Sequence, residues 1–334
     1  ENTHQLRIEN VTGDLLLSYR DITYMTSLAS NTAYFKEYAY KTSIKNIEFV
    51  NYVDVTNAVK TYDLSESGDN SVVGWLIKND DSTYNLYVGS VYDIYTKTLE
   101  NAFSYMSGLE YINFENLNTS ESTSFSYTFY QTMVTNLDLS TFNTSSATTM
   151  TNMFAGMTNL QTLDVSNFNT SNVQTMWSMF GSLSSLTELD ISSFNTARVN
   201  NMAYMFSGMT NLKTLKLGAR FNTSSVTTME NMFTGLRSLQ SIDVSMFDTT
   251  NVKTTKNMFY NCATLKYLDL SSFELASVTN MTGMFYNMSN LETLIIDNFN
   301  TSSATNMSNM FANCSKLSTL NVTHFDTSKV TNMS

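Results

Sequence analysis

A unit of about 26 residues, written some nine times between Leu99 and Ser334, constrains this chain more than any other feature. Its aromatic step recurs at Phe103, Phe129, Phe154, Phe180, Phe206, Phe233, Phe259, Phe285 and Phe311, at spacings of 25 to 27. A second phenylalanine series, from Phe142 and Phe168 to Phe299 and Phe325, keeps the same step. A fixed period in the twenties marks a chain whose repeats stack, because one repeat cannot bury its apolar face alone.

Two apolar spacings are joined inside each repeat. In the copy from Leu160 to Leu186, Leu163 and Val165 alternate with Asp164 and Ser166, the period of a half-buried strand. From Val173 through Met176, Met179, Phe180 and Leu183 the apolar residues fall three or four apart, the period of a helical face. Between them, Asn169-Thr170-Ser171 offers side chains suited to a turn and a helix N-cap. The spacing predicts strand, turn and short helix in every repeat, with the strands paired in parallel about 4.8 Å apart.

The pattern LxxLDLSxFNTSxVTxMxxMF, nearly intact at Leu186–Phe206 and Leu265–Phe285, resembles the repeat of the BspA-like leucine-rich-repeat surface proteins of bacteria. One departure is that Phe168 and its equivalents stand where the usual leucine-rich repeat has a ladder Asn or Cys. The resemblance implies an α/β solenoid over residues 99–334, a right-handed coil with parallel strands on one face and short helices on the other. It also implies an adhesin displayed at the cell surface.

Residues 1–98 depart from the pattern and are expected to include an α/β module capping the first coil. Asn31–Tyr40 reads as a short helix, Ser43–Val50 and Tyr84–Val88 as strands, and Glu66–Asn70 and Asn79–Ser82 as loops. The last residues, Met333-Ser334, fall midway through a repeat, and a fragment of a longer protein is expected.

The net charge of −11 argues against nucleic acid and anionic membranes as partners. No apolar run approaches the ~20 residues of a membrane span. Cys262 and Cys314 share an inward column with Met157, Leu183, Met209, Leu236 and Met288, two repeats apart. Two steps of about 4.8 Å exceed the ~7 Å limit for a disulfide, so both are expected as buried thiols. The two histidines, His4 and His324, lie at opposite ends of the chain, and neither metal-ligand spacing nor a phosphate-cradling loop is present. The chain is not expected to be an enzyme or to carry a cofactor. The threonines of the FNTS motif, Thr144, Thr170, Thr196, Thr223 and Thr249, form a regular column that raises ice or crystal binding as a minor reading.

Alternation puts three columns on the exposed strand face, the central one reading Asn113, Asp138, Asp164, Asp190, Lys216, Asp243, Asp269, Ile295 and Asn321. Three carboxylates in line, with Glu188 beside Asp190, repel one another unless hydrogen bonds or cations compensate. They form the candidate contact site, and Ca²⁺ favours such oxygen ligands. The bland reading is that each Asp only caps local backbone. Lys216 interrupts the row, an extra residue lies between Gly218 and Arg220, and Tyr267 stands alongside Asp269; these join the binding candidates. The expected partners are extracellular proteins or glycoproteins, matrix or mucin-like. The alternative is a passive stalk or surface-coat spacer.

Overall fold

A computed structural model describes residues 22–26 and 38–334. The expected helix at Asn31–Tyr40 falls outside them up to residue 37. The described chain opens with β1 (Ile22–Met25), α1 (Tyr38–Ser43), β2 (Ile44–Val50), β3 (Lys60–Asp63), β4 (Val73–Lys78), β5 (Tyr84–Gly89) and β6 (Asp93–Thr96). It continues with β7 (Tyr111–Asn113), β8 (Leu117–Asn118), β9 (Glu188–Asp190), β10 (Thr214–Lys216), β11 (Tyr267–Asp269) and β12 (Thr293–Ile295).

Five of these strands form one sheet in the order β3-β4-β5-β2-β7. β2 alternates Ile47 and Phe49, both fully buried, with the half-exposed Glu48. Its other edge pairs in parallel with β7, Asn46 opposite Tyr111, so the first repeat continues the N-terminal sheet. That pairing protects an edge that would otherwise be open. A second sheet, β1-β6-β8, joins the same two regions in parallel.

From Thr98 onward successive repeats are locked in parallel register by nine single bridges, running Thr98, Ser124, Thr149, Thr175, Asn201, Thr228, Thr254, Asn280, Asn306, Asn332. Two aromatic columns fill the interior. Phe129, Phe154, Phe180 and Phe206 stack with ring centroids 5.8–5.9 Å apart and planes within 9°. The second series stacks likewise, Phe168 on Phe194 at 6.5 Å and Phe247 on Phe273 at 6.2 Å. This second phenylalanine column is therefore wholly apolar and stacked from repeat to repeat.

The expected short helices are absent from the repeats: among the described residues the one α-helix is α1. The MxxMF arc is instead a run of tight turns. The residue two before each phenylalanine has positive φ, as Asn152 (52°), Ser178 (53°) and Tyr204 (61°). So does the residue two after it, as Gly156 (77°), Ser182 (59°) and Asn261 (60°). Left-handed backbone twice within five residues cannot belong to a right-handed helix. It turns alternate N–H groups toward the next repeat. The N–H groups of Asn152, Phe154 and Gly156 donate to the carbonyls of Trp177, Met179 and Gly181 at 2.9, 3.0 and 2.8 Å, while Met153 and Ala155 close local turns. The hydrogen bonds of a helix are thus exchanged for bonds between repeats.

The strand expectation also holds only locally. β9 pairs with β10 and β11 with β12, in register. The corresponding segments at Asp138, Asp164 and Asp243 lie outside the strands.

The threonine column is buried. Thr144, Thr170, Thr196, Thr223 and Thr249 are at most 1% exposed. Each hydroxyl both donates to the carbonyl and accepts the N–H of one residue in the next repeat. Thr170 meets Asn195 at 2.9 and 2.8 Å, and Thr196 meets Asn222 at 2.7 Å both ways. A buried column offers no face to ice, and that reading is withdrawn. Cys262 is buried, Cys314 half-buried, and both thiols are free.

Candidate functional site

Each acidic side chain of the predicted row is fixed by its own local backbone. The Oδ1 atoms of Asp138, Asp164, Asp190, Asp243 and Asp269 accept the N–H of the serine two residues on, at 2.9, 2.9, 3.0, 2.9 and 2.9 Å. Asn113 and Asn321 make the same turn. These bonds hold the five carboxyls below the usual aspartate range, through the Ser140 hydroxyl and N–H at Asp138 and the Ser166 N–H and hydroxyl at Asp164. Like-charge repulsion would have pushed them up. The row is a relaxed set of caps rather than a strained array.

The other candidates assemble in pairs. Lys216 stands opposite Asp190 in the β9–β10 register, with Nζ 3.2 Å from Oδ2, and Thr214 stands opposite Glu188. Both members of the ion pair are largely exposed, so it contributes little to stability. Arg220 donates through Nη2 to the Ser193 carbonyl at 3.3 Å. Gly218, at φ 75°, leaves no room for a Cβ, which would sit 2.5 Å from Ser192 Cα. The extra residue there is thus accommodated by backbone contact with the preceding repeat. Tyr267 is 54% exposed and its hydroxyl donates to Asp269 Oδ2 at 3.3 Å.

Among the described residues no hydrogen bond or ion pair joins Asp138, Asp164 or Asp243 to another of these candidates. Nor do three His, Cys, Asp or Glu side chains gather there as a metal site. A cleft of about 400 Å³ does open at the N-terminal end of the strand face, lined by Tyr111, Asn113, Glu115, Asn136 and Asp138.

A second concavity was not foreseen from the sequence. On the turn arc a groove of about 660 Å³ runs from Tyr105 to Tyr204 past Tyr130 and Trp177. Tyr105 and Tyr130 meet edge to face at 5.2 Å, and Trp177 and Tyr204 at 6.0 Å. Its signal in the sequence was Tyr105, Trp177 and Tyr204, at positions that the repeats after them fill with non-aromatic residues, whereas the position of Tyr130 is tyrosine again at Tyr260 and Tyr286.

A family model described as "Mycoplasma protein of unknown function, DUF285" matches residues 97–217, 180–268 and 261–334. The chain belongs to the DUF285 family. No curated protein and no solved structure matches it. The DUF285 match begins beside Thr98, the first residue of the bridge ladder. All nine predicted binding residues and the whole aromatic groove lie within the DUF285 portion.

Proposed function

We propose that this DUF285 protein is an extracellular binding protein of adhesin type. It recognises host or neighbouring-cell proteins or glycoproteins through an exposed strand face. The repeats are read as a leucine-rich-repeat-like solenoid of the BspA-like kind, supported by parallel bridges that recur once per repeat. The observation that carries the binding role is the strand-face cleft. An exposed Tyr111 and the carboxylates of Glu115 and Asp138 converge there, and Asp138 is already oriented by Ser140. Charges held before the partner arrives lose less entropy on binding. With a net charge of −11, a basic patch is the complementary surface.

The test is binding of the whole chain to immobilised mucin, fibronectin and other matrix ligands, with salt varied. Saturable binding that weakens as salt rises supports the reading. A folded chain that binds none of them supports the spacer reading, which the unbroken Phe columns favour mechanically.

A further inference from the structure

The groove on the turn arc carries a more specific inference, independent of the strand face. Its backbone is strained in a selective way. Every repeat needs left-handed backbone two residues before and two after its phenylalanine. From Asn231 to the C-terminus those positions hold only Asn or Gly, the residues that accept it most cheaply. Along the groove Asn152 and Gly156 keep that pattern, but Tyr105, Gln131, Ser178, Ser182 and Tyr204 depart from it. A bulky residue held at positive φ is strained, and such strain clusters at functional sites. A second observation is independent of the first: Asn152, 4% exposed, lines this groove, and its side-chain Nδ2 is buried without a hydrogen-bond partner. An unpaired buried donor is rare enough to call for an acceptor.

The chemistry of the lining narrows the ligand. No lining residue is charged; the walls are Tyr and Trp rings, and the remaining polar groups are amides and hydroxyls. Rings stack on the apolar C–H faces of pyranose sugars, while amides and hydroxyls pair with sugar hydroxyls, which both donate and accept. The groove crosses four repeat steps of about 4.8 Å, roughly 19 Å in all, the length of a short oligosaccharide. We propose that this groove binds a neutral, linear oligosaccharide. The Asn152 amide donates to a sugar oxygen, and Tyr105, Tyr130, Trp177 and Tyr204 supply the stacking rings.

Sister repeats provide substitutions that the backbone already accepts. Tyr204→Asn copies Asn231, Asn152→Ser copies Ser178, and Trp177→Thr copies Thr151 and Thr282. The probes are cellotetraose, maltotetraose and chitotetraose, titrated into the full chain by calorimetry and by tryptophan emission. Trp75 is 2% exposed, so Trp177 reports the groove. The expected result is saturable binding of at least one tetrasaccharide, abolished by Trp177→Thr. Tyr204→Asn and Asn152→Ser should each weaken it by about tenfold, and Tyr204→Asn should hold or raise the melting temperature as backbone strain is relieved. A purely structural role for Tyr204 would lower it. The proposal is overturned if none of the sugars saturates below ~10 mM with the chain folded. It is equally overturned if binding is indifferent to Tyr204→Asn and Asn152→Ser, or if a proline-rich peptide binds in the groove and the sugars do not. Loss of matrix binding through the strand face would leave these readouts unmoved.

Discussion

Substituting Thr170 by valine isolates one rung of the threonine ladder. The two side chains are nearly the same size, so no cavity forms at this fully packed position, and only the hydroxyl is lost. That hydroxyl serves both the N–H and the carbonyl of Asn195, at 2.8 and 2.9 Å. An unsatisfied buried group costs about 1–3 kcal/mol. Asn195 is half-buried, which places the pair near the low end, about 2–3 kcal/mol in total. Urea denaturation followed by circular dichroism reads the total, and native-state hydrogen exchange locates it in the repeats on either side of the rung. Thr170→Ser keeps the hydroxyl and loses one methyl, at about 1 kcal/mol. The expected order of stability is wild type, Ser, Val. A valine variant within about 0.5 kcal/mol of wild type, or one more stable than the serine variant, would refute the ladder's role. Position 275 is nature's own version of the experiment: Leu275, fully buried, leaves out one rung between Thr249 and Thr301.

Phe180→Asp places a charge in the fully buried phenylalanine column and should abolish cooperative unfolding, seen as loss of a single thermal transition. Asp164→Asn should stay within about 0.5 kcal/mol of wild type, because asparagine makes the same cap at Asn113 and Asn321, whereas Asp164→Ala loses about 1 kcal/mol. The five capping carboxyls are depressed in the folded state, so their contribution is present above the unfolded value near 3.8 and lost as pH falls through the folded values; the melting temperature should decline below about pH 4. Burial pushes the Cys262 thiol up to about 12 and raises Cys314 as well, so iodoacetamide at pH 8 should label half-buried Cys314 first and Cys262 only on unfolding.

The repeat, its register and its interior were legible because identical apolar positions at a fixed step leave few ways to bury them. Phe168, Phe180, Met176 and Met179 all lie inside. The helix was misread because Val173, Met176, Met179 and Phe180 satisfy a helical period and a turn arc equally well. The deciding letters were the small Asn, Ser and Gly residues at 152, 178 and 156, which take left-handed backbone. The threonine column looked exposed because threonine is usually a surface residue. Its hydroxyl is buried because it pairs with backbone in the next repeat, a partner that a single sequence does not reveal. The acidic side chains are exposed, as alternation predicts, and the compensating hydrogen bonds are the local caps, with the serine N–H two residues on engaging each aspartate of the row. The aromatic groove stayed hidden because three of its four rings, Tyr105, Trp177 and Tyr204, are departures from the repeat.

Charge removal without loss of the caps tests the central claim most directly. The fourfold variant Asp138→Asn, Asp164→Asn, Asp190→Asn and Asp243→Asn keeps each turn's acceptor while removing four negative charges. Surface plasmon resonance against a matrix or mucin ligand that the wild type binds should show a marked loss of affinity in this variant, with the chain still unfolding in a single cooperative transition. Undiminished binding by the neutralised face would contradict the account.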